Sequence, residues 1–176
     1  MADGRRGYVQ VYTGDGKGKT TAGVGLAVRA VGAGLRVALV QFVKGGARSS
    51  ELSVLEDLGV RVERPARAST GLLADGPTDE DRRAADEALG LATGILSAGD
   101  HDVVVLDEAN VAVSSGLVAE KPLLDAIASR PDHVDVVLTG RGATPGIMGA
   151  ADLVTEMVPR KHYFDVGVPA RRGIEF

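Results

Sequence analysis

A glycine-rich stretch between a predicted strand and a predicted helix carries the residues best suited to bind phosphate. It runs from Thr13 to Thr21 and reads Thr-Gly-Asp-Gly-Lys-Gly-Lys-Thr-Thr. Glycines let consecutive backbone amides turn towards one anion, and the following helix adds the positive end of its dipole. Lys19 would add a full positive charge, and the Thr20 hydroxyl would join the ligands of a Mg²⁺ ion that bridges phosphate oxygens.

The pattern therefore predicts a P-loop for a nucleoside triphosphate, although Thr13 stands where the first P-loop glycine is usual. The alternative is a glycine turn that joins a strand to a helix and binds no ligand. The predicted nucleotide contacts are Gly14, Asp15, Gly16, Lys17, Gly18, Lys19, Thr20 and Thr21.

An acidic pair follows a very apolar predicted strand later in the chain. The stretch reads Val-Val-Val-Leu-Asp-Glu and ends at Asp107 and Glu108. Ionised carboxylates at the end of a buried strand destabilise the fold unless they are hydrated, paired or bound to a metal. The sheet edge beside the P-loop is where a nucleotide would bring Mg²⁺ or Mn²⁺. The sequence predicts a metal site made of Thr20, Asp107 and Glu108, and the alternative is a pair of solvated loop residues.

Two arginines are candidate phosphate ligands. Arg141 follows the fifth predicted strand in a turn flanked by Gly140 and Gly142, and should emerge at the same sheet edge as the P-loop. Arg29 lies near the end of the first predicted helix, where a role on the helix surface is as well supported as a contact with ATP.

Apolar runs alternate with helical patterns along the chain, which predicts one α/β domain over residues 1–176 with a mostly parallel sheet and helices on both faces. Six strands are predicted, at residues 8–12, 36–41, 60–63, 103–106, 134–138 and 152–156. The first, second, fourth and fifth are the most apolar or β-branched and should be central. Helices are predicted at residues 19–31, 50–58, 78–96 and 121–129.

Composition excludes several classes of function. A net charge of −4 argues against a nucleic-acid partner, and the absence of cysteine excludes disulfides, thiolate catalysis and Cys-ligated metals. The sequence shows neither a secretion signal nor a run of about 20 apolar residues, so we expect a cytoplasmic protein that does not enter the membrane.

Several separate stretches together resemble the ATP:corrinoid adenosyltransferases of cobalamin biosynthesis and salvage. Besides the P-loop and the acidic pair, they are residues 40–45, 138–142, 151–157, 161–162 and 173–176. The resemblance covers nearly the whole chain, from about Gly7 to Phe176, and a general P-loop protein has no reason to carry all these stretches in this order.

The resemblance implies a RecA-like, often dimeric protein in which the Co(I) of a corrinoid attacks the ribose C5′ of ATP and tripolyphosphate departs. A flavodoxin or flavoprotein would supply the electron that makes Co(I). Lys19, Thr20 and Glu108 are then the predicted catalytic residues, because they would stabilise the departing polyphosphate directly or through the metal.

The sequence departs from the family pattern in the loop at residues 68–77. Relatives carry aromatic residues there, including a tryptophan, that help to remove the lower cobalt ligand, whereas this loop has none. Leu72 and Leu73 are the hypothesised substitutes, as an apolar wedge against the corrinoid, and the alternative is that both anchor the loop to the core. Two rival functions stay open: a P-loop ATPase or small-molecule kinase, and a non-catalytic corrinoid or nucleotide carrier.

Overall fold

A computed structural model describes residues 4–43, 50–65 and 76–175. Within these residues, six strands form one sheet with the order β3-β2-β4-β5-β1-β6, and every neighbouring pair is parallel. The strands are Val9–Thr13 (β1), Val37–Gln41 (β2), Arg61–Glu63 (β3), Val103–Asp107 (β4), Asp135–Thr139 (β5) and Leu153–Glu156 (β6). The predicted α/β fold and the four predicted inner strands are confirmed, and each strand matches its predicted range to within one residue at either end.

Six α-helices and one 3₁₀ helix accompany the sheet in the described residues. They are Lys19–Gly32 (α1), Ser50–Asp57 (α2), Asp79–Ala98 (α3), Ala109–Ser114 (α4), Glu120–Ala128 (α5), Pro145–Ala150 (α6) and the 3₁₀ helix Tyr163–Val166. The four predicted helices are confirmed. Sequence reasoning missed α4, α6 and the 3₁₀ helix, because segments of four to six residues are too short to show a helical repeat of apolar positions.

Helices cover both faces of the sheet, as predicted. Successive residues of β4 point to opposite sides, so Val104 and Leu106 join one buried cluster with α3 and α5, while Val103 and Val105 join another with α1 and α2. Buried strands covered on both sides explain why their sequences are almost continuously apolar.

Two reciprocal hydrogen bonds stabilise the start of α3. The Thr78 hydroxyl accepts a hydrogen bond from the Asp81 amide at 3.2 Å, and the Asp81 carboxylate accepts one from the Thr78 amide at 2.9 Å. This is the capping box that the spacing of the two residues predicts. Among the described residues, no helix is both long enough and apolar enough to cross a membrane.

Candidate nucleotide-binding site

A cavity of about 620 Å³ lies beyond the carboxyl ends of the strands. Parallel strands all end at this edge, so the loops after β1, β2, β4 and β5 meet there. The residues around the cavity come from these loops, from the start of α1 and from the far end of the chain: residues 16–21, Gln41, Asp107, Glu108, Arg141, His162 and residues 173–175, among others.

The P-loop lies against the backbone that follows β6. Gly14 has φ +90°, and a Cβ atom there would lie 2.6 Å from the Met157 carbonyl oxygen. The Gly16 amide donates a hydrogen bond to the same oxygen at 2.7 Å. Glycine is therefore needed at position 14 both for conformation and for space. Because the Gly16 amide already has a partner, the amides that remain for phosphate belong to the later residues of the loop.

Lys19 is buried at the start of α1, with 7% of its surface exposed. Its Nζ donates a hydrogen bond to the Gly16 carbonyl at 2.7 Å. Burial lowers the pKa of Lys19, and the nearby positive charge of Arg141 lowers it further. The first turn of α1 has no acidic residue, so a buried ammonium and a helix N-terminus both face the cavity without a carboxylate from that turn. This arrangement suits an anion.

Asp107, at the end of β4, is the most deeply buried carboxylate of the site, with 2% of its surface exposed. It accepts hydrogen bonds from the hydroxyls of Thr139 at 2.7 Å and Thr20 at 2.9 Å, and from the Gln41 amide at 3.3 Å. Burial raises the pKa of Asp107, and these three donors oppose the shift. Side chains from β5, α1 and β2 thus converge on one carboxylate.

Glu108 has φ +58°, in the left-handed region that a non-glycine residue rarely adopts. Its amide donates to the Thr139 hydroxyl at 3.1 Å, so one threonine contacts both members of the acidic pair. Burial, and next the charge of Asp107, raise the pKa of Glu108 to about 7, against the opposing charges of Lys19 and Arg141. Such a group binds either a proton or a cation at neutral pH.

The donor set fits a hard divalent cation. Thr20, Asp107 and Glu108 all border the cavity and offer only oxygen, the ligand that Mg²⁺ and Mn²⁺ prefer. Both adjacent carboxylates have raised pKa values, so the positive charges of Lys19 and Arg141 do not fully offset the effect of burial on the pair, and a bound cation would stabilise its ionised form. In the described part of the chain, no three His, Cys, Asp or Glu side chains cluster as a metal centre, so substrate phosphates would have to complete the coordination.

The other predicted contacts occupy different places. Arg141 borders the cavity, and its guanidinium lies 3.5 Å from the carbonyl oxygen of Asp15. Gly14 and Asp15 do not border the cavity, and Asp15 is exposed, whereas Arg29 lies exposed in the last turn of α1 and does not border the cavity either. Leu72 and Leu73 fall outside the described residues.

Among the contributors to the site that were missed as functional residues at the sequence level are Gln41, Thr139 and His162. Gln41 and Thr139 each end an apolar strand with a polar side chain, which is the signal that could have found them. His162 has no comparable local signal. Thr13, in place of the usual glycine, uses its hydroxyl to accept a hydrogen bond from the Ala143 amide at 3.1 Å, and so ties the end of β1 to the turn after β5.

Fold and site together define a P-loop nucleotide-binding protein of the α/β class, consistent with a RecA-like sheet in which β5 separates the P-loop strand from the acidic strand. The family model for "ATP:corrinoid adenosyltransferase BtuR/CobO/CobP" matches residues 5–176. The chain belongs to this family.

Individual relatives agree over the full length. The chain is 38% identical over 182 residues to a corrinoid adenosyltransferase of Pseudomonas aeruginosa, and 40% identical over 177 residues to one of Escherichia coli (strain K12). It is also 40% identical over 182 residues to the corrinoid adenosyltransferase CobA of Salmonella typhimurium. Each alignment covers 100% of this chain and 87%, 89% and 89% of the respective relatives.

Proposed function

We propose that this chain transfers the 5′-deoxyadenosyl group of ATP to the Co(I) of a corrinoid and releases intact tripolyphosphate. In this step an electron pair of Co(I) forms the bond to C5′, the bond between C5′ and oxygen breaks, and its electron pair leaves on the tripolyphosphate. The cobalt becomes formally Co(III). The observation that carries the proposal is the convergence of Lys19, Arg141 and the acidic pair on one cavity in a member of this family.

The residues of the cavity act on the leaving group. Lys19, Arg141 and backbone amides of residues 17–21 would neutralise the charge that develops on tripolyphosphate as C5′ is released. A lysine that is largely buried from solvent interacts more strongly with that charge than an exposed one. The nucleophile is the substrate cobalt, so the reaction needs no protein base.

Thr20, Asp107 and Glu108 would hold Mg²⁺ or Mn²⁺ beside the phosphates. When bound, the ion would neutralise phosphate charge and orient the chain of phosphates. The hydrogen bonds from Thr139 and Gln41 favour the ionised form of Asp107, against the effect of its burial, and orient the carboxylate for that purpose.

Leu72 and Leu73 remain the proposed apolar wedge on the corrinoid, because relatives use aromatic residues in this loop. The protein with both residues replaced by alanine should adenosylate the corrinoid at least ~10-fold more slowly, since excluding a lower ligand from cobalt requires apolar bulk. Calorimetric binding of MgATP is the control and should be unchanged. Full adenosylation with intact ATP binding would contradict the wedge.

Three further proposals concern the surroundings of the reaction. Production of Co(I) would need a low-potential electron, and the family resemblance implies a flavodoxin or flavoprotein as its donor. A homodimer is supported by β6, an edge strand that exposes Leu153 and Val154. A single domain over residues 1–176, located in the cytoplasm where ATP is available, remains the proposed setting.

An anaerobic assay tests the reaction itself. MgATP is mixed with chemically reduced cob(I)alamin or cobinamide, the corrinoid spectrum is followed, and the products are separated by chromatography. Adenosylcorrinoid with an equal amount of tripolyphosphate is the expected result, and the two rates identify the preferred acceptor. ADP as the only nucleotide product would indicate an ATPase or kinase, whereas ATP binding without turnover would indicate a carrier.

A further inference from the structure

The last described residues of the chain return to the P-loop. After β6 and the 3₁₀ helix, the chain forms a turn at residues 171–175, in which the amides of Ile174 and Glu175 donate to the Arg171 carbonyl. Lys17 Nζ donates a hydrogen bond to the Ile174 carbonyl at 2.8 Å and lies 3.9 Å from the Glu175 carboxylate. Residues 173–175 also border the nucleotide cavity. The 171–175 turn is therefore an outer wall of that cavity.

Glu175 holds this turn in place. Its carboxylate accepts hydrogen bonds from the Tyr163 hydroxyl and, at 2.6 Å, from the Arg171 amide. The Arg171 guanidinium lies 3.5 Å from the same carboxylate and 4.8 Å from the centre of the Tyr163 ring. The Tyr163 hydroxyl, and next the Arg171 amide and guanidinium, hold the pKa of Glu175 at about 2. At neutral pH Glu175 is thus an anion that accepts hydrogen bonds from the 3₁₀ helix and from its own turn, and that forms a long ion pair with Lys17.

We propose that Glu175 is a positioning residue that holds the 171–175 turn and Lys17 in the arrangement that receives ATP. The ammonium of Lys17 is positioned by the Ile174 carbonyl, 157 residues further along the chain, and by the Glu175 carboxylate next to it. If the turn is ordered before ATP arrives, ATP binding does not carry the entropic cost of ordering it. If the turn were ordered in only a fraction of the molecules, the apparent affinity for ATP would be lower by that fraction. The inference rests on the proposed function only in assuming that the cavity binds ATP.

The opposite role is physically possible for the same residues. A carboxylate on the cavity wall repels phosphate, and it withdraws Lys17 from the anion. If that effect were the larger one, neutralising Glu175 would tighten ATP binding. The direction of the change in affinity therefore decides between a positioning residue and an inhibitory one.

The test is calorimetric titration of the full chain with MgATP in the absence of corrinoid, so that nothing is consumed. Glu175→Gln and Tyr163→Phe should each weaken binding about tenfold, because the first removes the charge that strengthens the hydrogen bonds of the turn and the second removes a donor to that charge. Asp165→Asn is the matched control, since it makes the same kind of change at an exposed position of the 3₁₀ helix, and should stay within about twofold of the wild type. In the adenosylation assay, Glu175→Gln should raise KM for ATP by the same factor and leave kcat within about twofold.

A double variant separates positioning from general stability. If Glu175 acts through Lys17, Lys17→Met with Glu175→Gln should bind MgATP no more weakly than Lys17→Met alone. The proposal would be overturned if the losses of MgATP affinity in the two single variants added fully in the double variant. It would also be overturned if Glu175→Gln bound MgATP as tightly as the wild type or more tightly. If the folded wild-type protein did not bind MgATP, both this proposal and the proposed function would be overturned. If the wild type bound MgATP and the variants bound it equally well, only this proposal would be overturned.

Discussion

Replacing Thr139 by valine would remove the hydroxyl that contacts both members of the acidic pair. Thr139 is fully buried, and its hydroxyl donates to Asp107 at 2.7 Å while accepting from the Glu108 amide at 3.1 Å. A hydrogen bond to a charged group contributes about 1.5–3 kcal/mol, and a buried amide left without a partner costs about 1–3 kcal/mol. Because Thr20 and Gln41 still donate to Asp107, we expect a combined loss towards the lower end, about 2–4 kcal/mol in the free energy of unfolding.

Urea titration without nucleotide measures this loss, with Thr139→Ser as the matched control. Serine keeps the hydroxyl and removes one methyl group, so its cost should stay below about 1.5 kcal/mol. The hydrogen bond from Thr139 lowers the pKa of Asp107, so the cost of valine should also shrink in acid, where Asp107 becomes protonated. A loss below about 0.5 kcal/mol in Thr139→Val, or equal losses in the valine and serine variants, would refute the reasoning.

Two further predictions concern the charged groups of the cavity. Lys19→Met should bind MgATP at least ~10-fold more weakly by calorimetry, and unchanged affinity would contradict a phosphate contact. The variant should nevertheless unfold at the same or a higher urea concentration, because methionine replaces a buried ammonium whose pKa is lowered by burial. The pKa of Glu108 is about 7 when folded and near 4.5 ordinarily, so the folded state holds the extra proton between these values. The free energy of unfolding of the wild type should therefore fall, relative to Glu108→Gln, as pH rises from about 4.5 to about 7 in urea titrations, and parallel pH profiles would refute it.

The sheet, the glycine-rich P-loop and the acidic pair were predictable because their sequence signals are local. A run of apolar residues predicts β4 as a strand wherever it lies in the sheet. Asp107 and Glu108, at and just after its end, then lie at the carboxyl edge of the sheet. The contacts of Gln41 and Thr139 were not predictable in the same way. They depend on β4 lying between β2 and β5, an order that arises from packing across the whole chain.

The same limit applies to the 171–175 turn. Residues 173–175 of this turn entered the sequence analysis as part of a family resemblance, and only the contact of the turn with Lys17 gives them a physical role. Residues 66–75, which include Leu72 and Leu73, lie outside the described residues, so the wedge stays a prediction.

The position of β1 has a consequence for how the protein is made. Although β1 precedes the other five described strands in the chain, its two neighbours are β5 and β6, which end at Thr139 and Glu156. During synthesis the P-loop strand must wait, without a partner strand, while β2, β3 and β4 pair with one another. Late, long-range pairings of this kind slow folding and leave apolar strands open to aggregation. A ribosome-bound chain halted before residue 135 should therefore contain the entire P-loop sequence and still lack its nucleotide site.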